Sequence, residues 1–591
     1  MDLCGNLARA HLLLWIVPVL CAVLTSALGK RLSHRTLAGL SLAGAVLPLV
    51  QSAAAAIFFM WGQQSGNLGR VEIGLLTRDP FSLVFELTPL GAWAMLLCST
   101  LVLAAQVHAI GSVTRLVGRH RYQALVLTVG AAGGVLFTSA SMVTLLFGWE
   151  SLALASAFLA GFWESEQGGG RTGMRWLLFQ RVSGVLLLLG SLALQLDVAL
   201  AAILVAASAF VRLGQLPFHG WIPDSSRAPS SAMVLLHGAA SLLAGVFVLD
   251  RIWPLFAHIE HMQVLTGIIG ASGVGLGILA GLQQHRPQKT LGWLFLLSGG
   301  FCLIGYSVGD PVASRMLVSG NVLVLGGLVL AVGAFTGPLY EIEFNLGVAK
   351  SPYTRKAYLI LVAALALPPS MNFVALGRLC GSAPPGTIGL LIRILVCLAM
   401  LACGWILRRV YSELTSEYPD GKMKAGRWAS AAPAGLGVMA FVLGLAAFFS
   451  HRASEYLYGG SIGFSWALGA AAALLAGWLL GTAVVVGGRA RAQRWTGRLT
   501  RSQLIMDKIA GTGLGVGEMV VRLPVIILRA LGVVFWRGIG DFIIDTLVIG
   551  TTVRTIEGIG TAMRYIQNGR VQRYMFVLVL ATLLLVLAML R

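Results

Sequence analysis

Apolar runs of about twenty residues, the length that crosses a bilayer, alternate with short polar connections along almost the whole chain. Sixteen can be drawn, near residues 9–28, 36–61, 87–111, 122–140, 142–163, 173–196, 198–216, 230–250, 264–284, 290–309, 313–336, 357–376, 387–407, 430–450, 463–487 and 573–590. The pattern predicts an all-α polytopic membrane protein of about 16 transmembrane helices. One stretch departs from it. Residues 501–570 are interrupted at roughly helical spacing by Asp507, Lys508, Glu518, Arg522, Arg529, Arg537, Asp541, Asp545, Arg554, Glu557 and Arg564, and VVRLPVIILRALGVVFW alternates apolar and polar faces. That reads as a long amphipathic helix lying along the membrane surface, anchored by the last span, YMFVLVLATLLLVLAML. At ~1.5 Å of rise per residue, ~65 residues reach on the order of 100 Å. That is longer than one bundle needs, so the helix is expected to clasp neighbouring membrane subunits.

Loop charge orients the spans. If Lys30, Arg31 and Arg35 face the cytoplasm, every second loop does too, and those loops carry Arg115, Arg119, Arg121, Arg171, Arg175, Arg286, Lys350, Arg355, Lys356, Arg408, Arg409, Lys422, Lys424, Arg489, Arg491, Arg494 and Arg498. The alternate loops are poor in Lys and Arg, Arg378 being an isolated exception. Both termini are then expected outside, in a multi-pass protein of a bacterial inner membrane. The first 30 residues lack a basic leading region and a small-residue cleavage site, so they read as a first span rather than a removable signal. The expected organisation is 1–121, N-terminal spans with an outside hairpin loop; 122–250 and 264–407, two five-helix units; 430–487, two further spans; 501–570, the lateral helix; and 573–590, its anchor.

Composition narrows the function classes. Of 591 residues 57% are hydrophobic and only 11% charged, against about 25% in soluble domains. The net charge of +20 resides in short loops, where it orients the chain rather than binding nucleic acid. Cys4, Cys21, Cys98, Cys302, Cys380, Cys397 and Cys403 are scattered without metal-ligand or C-x-x-C spacing, as small buried hydrophobes are. No glycine-rich nucleotide loop or nucleophile constellation is present. No metal, cofactor or redox centre is therefore expected in the chain itself.

An ionisable group at membrane depth is costly and is a functional candidate by default. Nearly all 23 acids fall in loops or at span ends; the exception is Glu150 in LLFGWESLALASAFLAGFW. No lysine lies in mid-span. The buried basic candidates are Arg212 in ASAFVRLGQLPF and His237 in SAMVLLHGAASLLAGVF, with Arg181 and Arg393 in other spans. Pro217 and Pro223 in VRLGQLPFHGWIPDSSRAPSS are expected to break one span. Pro368 and Pro369 in LALPPSMNFVALG interrupt its counterpart in the second unit. Freed backbone groups at such breaks must face protein or water, and paired broken helices near the midplane mark transport sites.

With these residues in hand, LPFHGWIPDSSRAPSSAMVLLHGAASLLAGVFVL resembles the signature of the antiporter-like proton-translocating subunits of respiratory NADH-quinone oxidoreductase (complex I). FGWESLALASAFLAGFW resembles the same family's G-W-E segment, and QNGRVQRYMFVLVLATLLL the C-terminus of its subunit L type. The resemblance implies inverted five-helix repeats with a proton half-channel in each. It also implies that Glu150 pairs with the basic residue of the broken helix, a lysine there and Arg212 here, and that His237 is a relay. Lys289 in HRPQKTLGW is the basic match near the central axis.

The departures bear on mechanism. Arginine does not release its proton, so Arg212 can serve as counter-ion and not as shuttle. Gly184 stands where the family has an acid after R-V-G, RMLVSGNVLVLGGLVLAVGAF has no base past Arg315, and NFVALGRLC lacks the family's lysine and acid. Three readings stay open: a proton-translocating subunit of an NADH-quinone oxidoreductase-type complex, a degenerate structural descendant that no longer pumps, and a subunit of a cation/proton antiporter or inorganic-carbon pump.

Overall fold

The computed structural model describes residues 11–61, 68–74, 82–112, 118–162, 169–259, 261–284, 286–340, 352–415, 427–449, 461–486, 516–534, 550–566 and 578–582. The helices, in chain order, are α1 (Leu13–Leu28), α2 (His34–Trp61), α3 (Pro89–Ser112), α4 (Arg119–Phe137), α5 (Met142–Ala160), α6 (Gly169–Ala193) and α7 (Val198–Arg212). There follow α8 (Ser230–Phe256), α9 (Met262–Gln283), α10 (Pro287–Ser307), α11 (Pro311–Tyr340), α12 (Pro352–Ala364), α13 (Met371–Ser382), α14 (Thr387–Thr415), α15 (Arg427–Phe449), α16 (Ser461–Val486), α17 (Val516–Val534) and α18 (Gly550–Ile566). A two-stranded hairpin, β1 (Leu68–Gly74) and β2 (Ser82–Leu87), joins α2 to α3. The chain forms two compact units, Met1–Val520 and Val521–Arg591.

Eleven of these helices are long and apolar enough to cross a membrane, so the protein is a multi-pass membrane protein. The other five expected spans fall short of that standard for visible reasons. α1 has 16 residues, α4 opens on Arg119, His120 and Arg121, α7 ends after 15 residues, and α12 and α13 are halves of one interrupted segment. The anchor at 573–590 lies mostly outside the described residues, which include a helical stretch at 578–582. So do much of 501–570, whose described parts are α17 and α18, and the charged loops at 416–426 and 487–500.

The centre of the first unit is α8 and α11, whose apolar windows are buried throughout. α11 packs against α10, α12, α13, α15 and α3, while α8 packs against α7 and α3. On one side the hairpin closes the bundle. The Glu86 amide donates to the Thr138 carbonyl and the Ala140 amide to the Val84 carbonyl, both at 2.8 Å, and Phe85 stacks on Trp15 at 5.3 Å. Arg251 of α8 donates to the Ser139 carbonyl at 2.7 Å, fastening α8 to the same corner.

Helix starts follow local chemistry. The Asp197 carboxylate caps α7 by accepting from the amides of Ala199 and Leu200, Ser141 caps α5, and Ser370 caps α13. Asp310 does two jobs. Its Oδ1 accepts from the Ala313 amide in the first turn of α11, and its Oδ2 accepts from Arg378 Nε at 2.7 Å and Ser382 Oγ at 2.6 Å, both on α13. Arg378, the exception to the loop-charge rule, is thus half of a buried clasp between α11 and α13. Replacing Asp310 with Ala removes cap and ion pair together and is expected to cost about 3 kcal/mol. Asp310→Asn, which keeps the cap, should cost clearly less; SDS titration of the purified protein in mixed micelles measures both.

Candidate functional site

Both interrupted segments are open in their middles. α7 ends at Arg212, the chain turns through 213–218, and a helical turn at His219–Trp221 leads into a short helix, Ile222–Ser225. Pro217 lies in the turn. Pro223, expected as a second breaker, instead stands in the first turn of Ile222–Ser225, where a missing N–H costs nothing. In the second segment α12 ends at Ala364 and α13 begins at Met371, with Pro368 and Pro369 between them.

The first break is held by side chains from its neighbours. Ser241 of α8 donates to the Arg212 carbonyl at 2.7 Å, so a backbone group freed by the break is satisfied inside the protein, and Gln215 Nε2 donates to the Leu296 carbonyl at 3.1 Å, which ties the turn to α10. Gln215 fits because its neighbours are glycines: a Cβ at Gly273 would overlap its Oε1, and one at Gly299 would stand 2.6 Å from its Nε2. Asp224 of the short helix is ion-paired with Arg175 of α6, which pins it.

Arg212 is fully buried. Its guanidinium donates to Gln180 Oε1 on α6 and to the Trp149 carbonyl on α5, each at 2.8 Å, and lies 3.7 Å above the Trp149 ring. A desolvated cation–π contact of this kind is worth about 2 kcal/mol. The expected Glu150–Arg212 pair is not formed. Glu150 is ion-paired with Arg181, one residue beyond Gln180, and both side chains remain partly exposed, 33% and 42%. The reason lies in the packing: a Cβ at Gly184 would overlap Glu150 Oε1, so the glycine that replaces the family's acid is the space the Glu150 carboxylate occupies. Two cations and one carboxylate sit together, and among the described residues no carboxylate is ion-paired with Arg212.

His237 lies in a π-helical stretch of α8, Leu235–Leu243, the kind of local widening that recurs at functional sites. Its Nε2 is 2.6 Å from Ser225 Oγ on the short helix. The ring is stacked between Trp221 and Phe295, at 5.0 Å from each, and Trp221 meets Trp176 edge-on at 4.5 Å. The break, α6, α8 and α10 therefore meet around one imidazole. Lys289 stands half-buried in the first turn of α10, beside Gln288, whose amide donates to Ser230 Oγ at 3.3 Å.

The second break is chemically different. A small cavity against it, between α10, α11, α13, α14 and the break itself, is lined by Leu294, Leu317, Leu365 and Met400, with Ser298, Asn321 and Asn372 as its polar groups. Neutral amides occupy the region where the first break has guanidinium groups and a carboxylate.

Residues 192–407, from the end of α6 through most of α14, match the family described as NADH:quinone oxidoreductase/Mrp antiporter, TM. The likeness to complex I and Mrp antiporter membrane subunits is therefore carried by this segment. NAD(P)H-quinone oxidoreductase subunit 5 of the organellar chromatophore of Paulinella chromatophora is 24% identical over 284 residues, 44% of this chain and 43% of that protein. The chloroplastic subunit 5 of Poa pratensis is 24% identical over 265 residues, 40% of this chain and 38% of that protein. The chain thus spans about two fifths of the curated relatives it matches. A solved chain from the Mrp complex of Dietzia sp. DQ12-45-1b shares the fold, with a TM-score of 0.61 at 20% identity, covering 98% of this chain and 63% of that one. The antiporter-like segment holds both breaks, Arg212, His237 and Lys289, whereas Glu150, Gln180 and Arg181 precede it.

Gln180 was not among the residues expected at the site, although an amide beside Arg181 in the apolar run LLFQRVSGVLLLLG is a visible signal. Arg212→Ala leaves the Gln180 and Trp149 acceptors without their donor and opens a cavity, an expected loss of about 3 kcal/mol. Arg212→Lys keeps one donor and should lose less than Arg212→Ala. Denaturation of the purified variants in mixed micelles measures both, and equal losses would mean that the fork geometry contributes nothing.

Proposed function

We propose that this chain is a proton-translocating membrane subunit of a multi-subunit, complex I-type NADH-quinone oxidoreductase, with its proton route in the first repeat. The observation that carries the reading is the group built on the first break: a fully buried Arg212 beside a half-exposed Glu150–Arg181 pair, with His237 against the short helix that follows the break. An ion pair in mid-helix, exposed at membrane depth, is costly against lipid. Cover by a neighbouring subunit would remove that cost, which supports a place in a complex. In the proposed route Glu150 takes up and releases protons, Arg181 and Arg212 set the local charge, and His237 relays the proton past the break. Its uncharged ring accepts a proton on one nitrogen and releases one from the other.

The second repeat carries Ser298, Asn321 and Asn372 at its break in place of ionisable groups. That observation favours translocation through the first repeat alone. It also supports a second reading, a subunit that keeps the fold and the assembly contacts without pumping.

Two experiments separate these readings. Gentle detergent purification, with mass spectrometry of co-eluting subunits and an assay of NADH–quinone activity, is expected to recover quinone-reductase subunits; elution alone would remove the respiratory reading. In inverted membrane vesicles, Glu150→Gln is expected to lower coupled proton pumping at least about tenfold with assembly intact. Gly184→Ala, which changes no ionisable group, should lower pumping as well by pushing the Glu150 carboxylate out of place. Wild-type pumping in Glu150→Gln would leave the non-pumping subunit as the better reading.

A further inference from the structure

Asp250 lies on α8, 13 residues beyond His237 and so about 20 Å further along the helix axis. Taken as a span end from the sequence, it is in fact buried: its side chain is 5% exposed. Its Oδ1 accepts from the Tyr306 phenol of α10 at 2.8 Å. Its Oδ2 has no hydrogen-bond partner. The nearest cation, Arg315 Nε of α11, stands at 3.6 Å, too far for a hydrogen bond, and the Arg315 side chain is 36% exposed. Arg251, the adjacent cation on α8, is turned away to Ser139. Tyr306 and Cys302 of α10 and Arg315 of α11 are the titratable or charged groups that act on Asp250 from the packed helices.

A buried carboxylate with one hydrogen bond and one loose cation is poorly satisfied. A proton on Oδ2 removes the uncompensated charge, while Oδ1 keeps its bond to Tyr306. Arg315 supplies a link from this site to the surface, at the end of α8 that loop charge assigns to the outside. We propose that Asp250 is a proton-binding site at the outer end of α8, from which protons leave the protein. The inference rests on the proton-translocation reading above and places the exit between α8, α10 and α11, where the second repeat offers only neutral groups at its break. In the step itself the Oδ2–H bond breaks, the proton passes to water at the outer surface, and the carboxylate that remains is paired with Arg315.

The test is infrared difference spectroscopy of the purified full chain in liposomes, taken between mildly acidic and mildly alkaline pH, together with pumping in vesicles. Besides any band that disappears in Glu150→Gln, the wild type is expected to show a second pH-dependent carboxylic-acid carbonyl band, lost in Asp250→Asn and kept in Glu150→Gln. Asp250→Asn should lower pumping at least about tenfold, and Asp250→Glu should restore most of it. Persistence of the second band in Asp250→Asn, or wild-type pumping by that variant, would overturn the assignment. Tyr306→Phe leaves the acid in place and should displace the pH midpoint of the band; an unmoved midpoint also counts against the site, and this variant decides the matter if Asp250→Asn fails to accumulate. Should even the wild type fail to pump, the function proposed above falls, while the band still reports whether Asp250 binds a proton.

Discussion

The guanidinium of Arg212 is fully buried in an apolar bundle, and the helices around the first break are arranged to hold it there. Taking a cation out of water is expensive unless hydrogen-bond acceptors surround it. Here the acceptors come from two helices, the Gln180 amide of α6 and the Trp149 carbonyl of α5, while the Trp149 ring covers the flat face. Ser241 of α8 engages the backbone of the same residue. Four helices are thereby fixed around the point where α7 stops, and the break persists because its polar groups are answered from outside the broken helix.

That solution frees Glu150. With both terminal nitrogens of Arg212 bound to neutral acceptors, the carboxylate turns to Arg181, in the space left by Gly184 and toward the bundle surface. A buried permanent cation thus stands beside a partly exposed ion pair, of which only the Glu150 carboxylate is a group that can exchange a proton. His237, held by Ser225 and clamped between Trp221 and Phe295, connects the broken segment to α8 and α10.

The two interrupted segments therefore share a backbone device and differ in charge. Each has an interrupted segment turned at a proline and flanked by long buried helices. In the second, the ionisable groups have retreated from the break to the Asp310–Arg378 clasp, which is also a helix cap. A clasp satisfied on both carboxylate oxygens stabilises, whereas Asp250 keeps one oxygen without a hydrogen-bond partner.

The apolar runs determined the helical, membrane-spanning character of the chain, because a span in lipid needs about twenty apolar residues whatever packs beside it. Residue type in those runs also marked Glu150, Arg212 and His237, and the prolines marked both interruptions. Which carboxylate meets which cation was beyond the sequence. Glu150 pairs with Arg181 because Gly184 leaves room for it, and Arg212 binds an amide and a carbonyl that pattern alone does not bring near. Asp250 read as a span end because linear hydropathy cannot see Tyr306 and Arg315 closing over it. Depth and length are properties of one helix and are written along it; ion pairing and burial are set by side chains of other helices, and only the tertiary packing decides them.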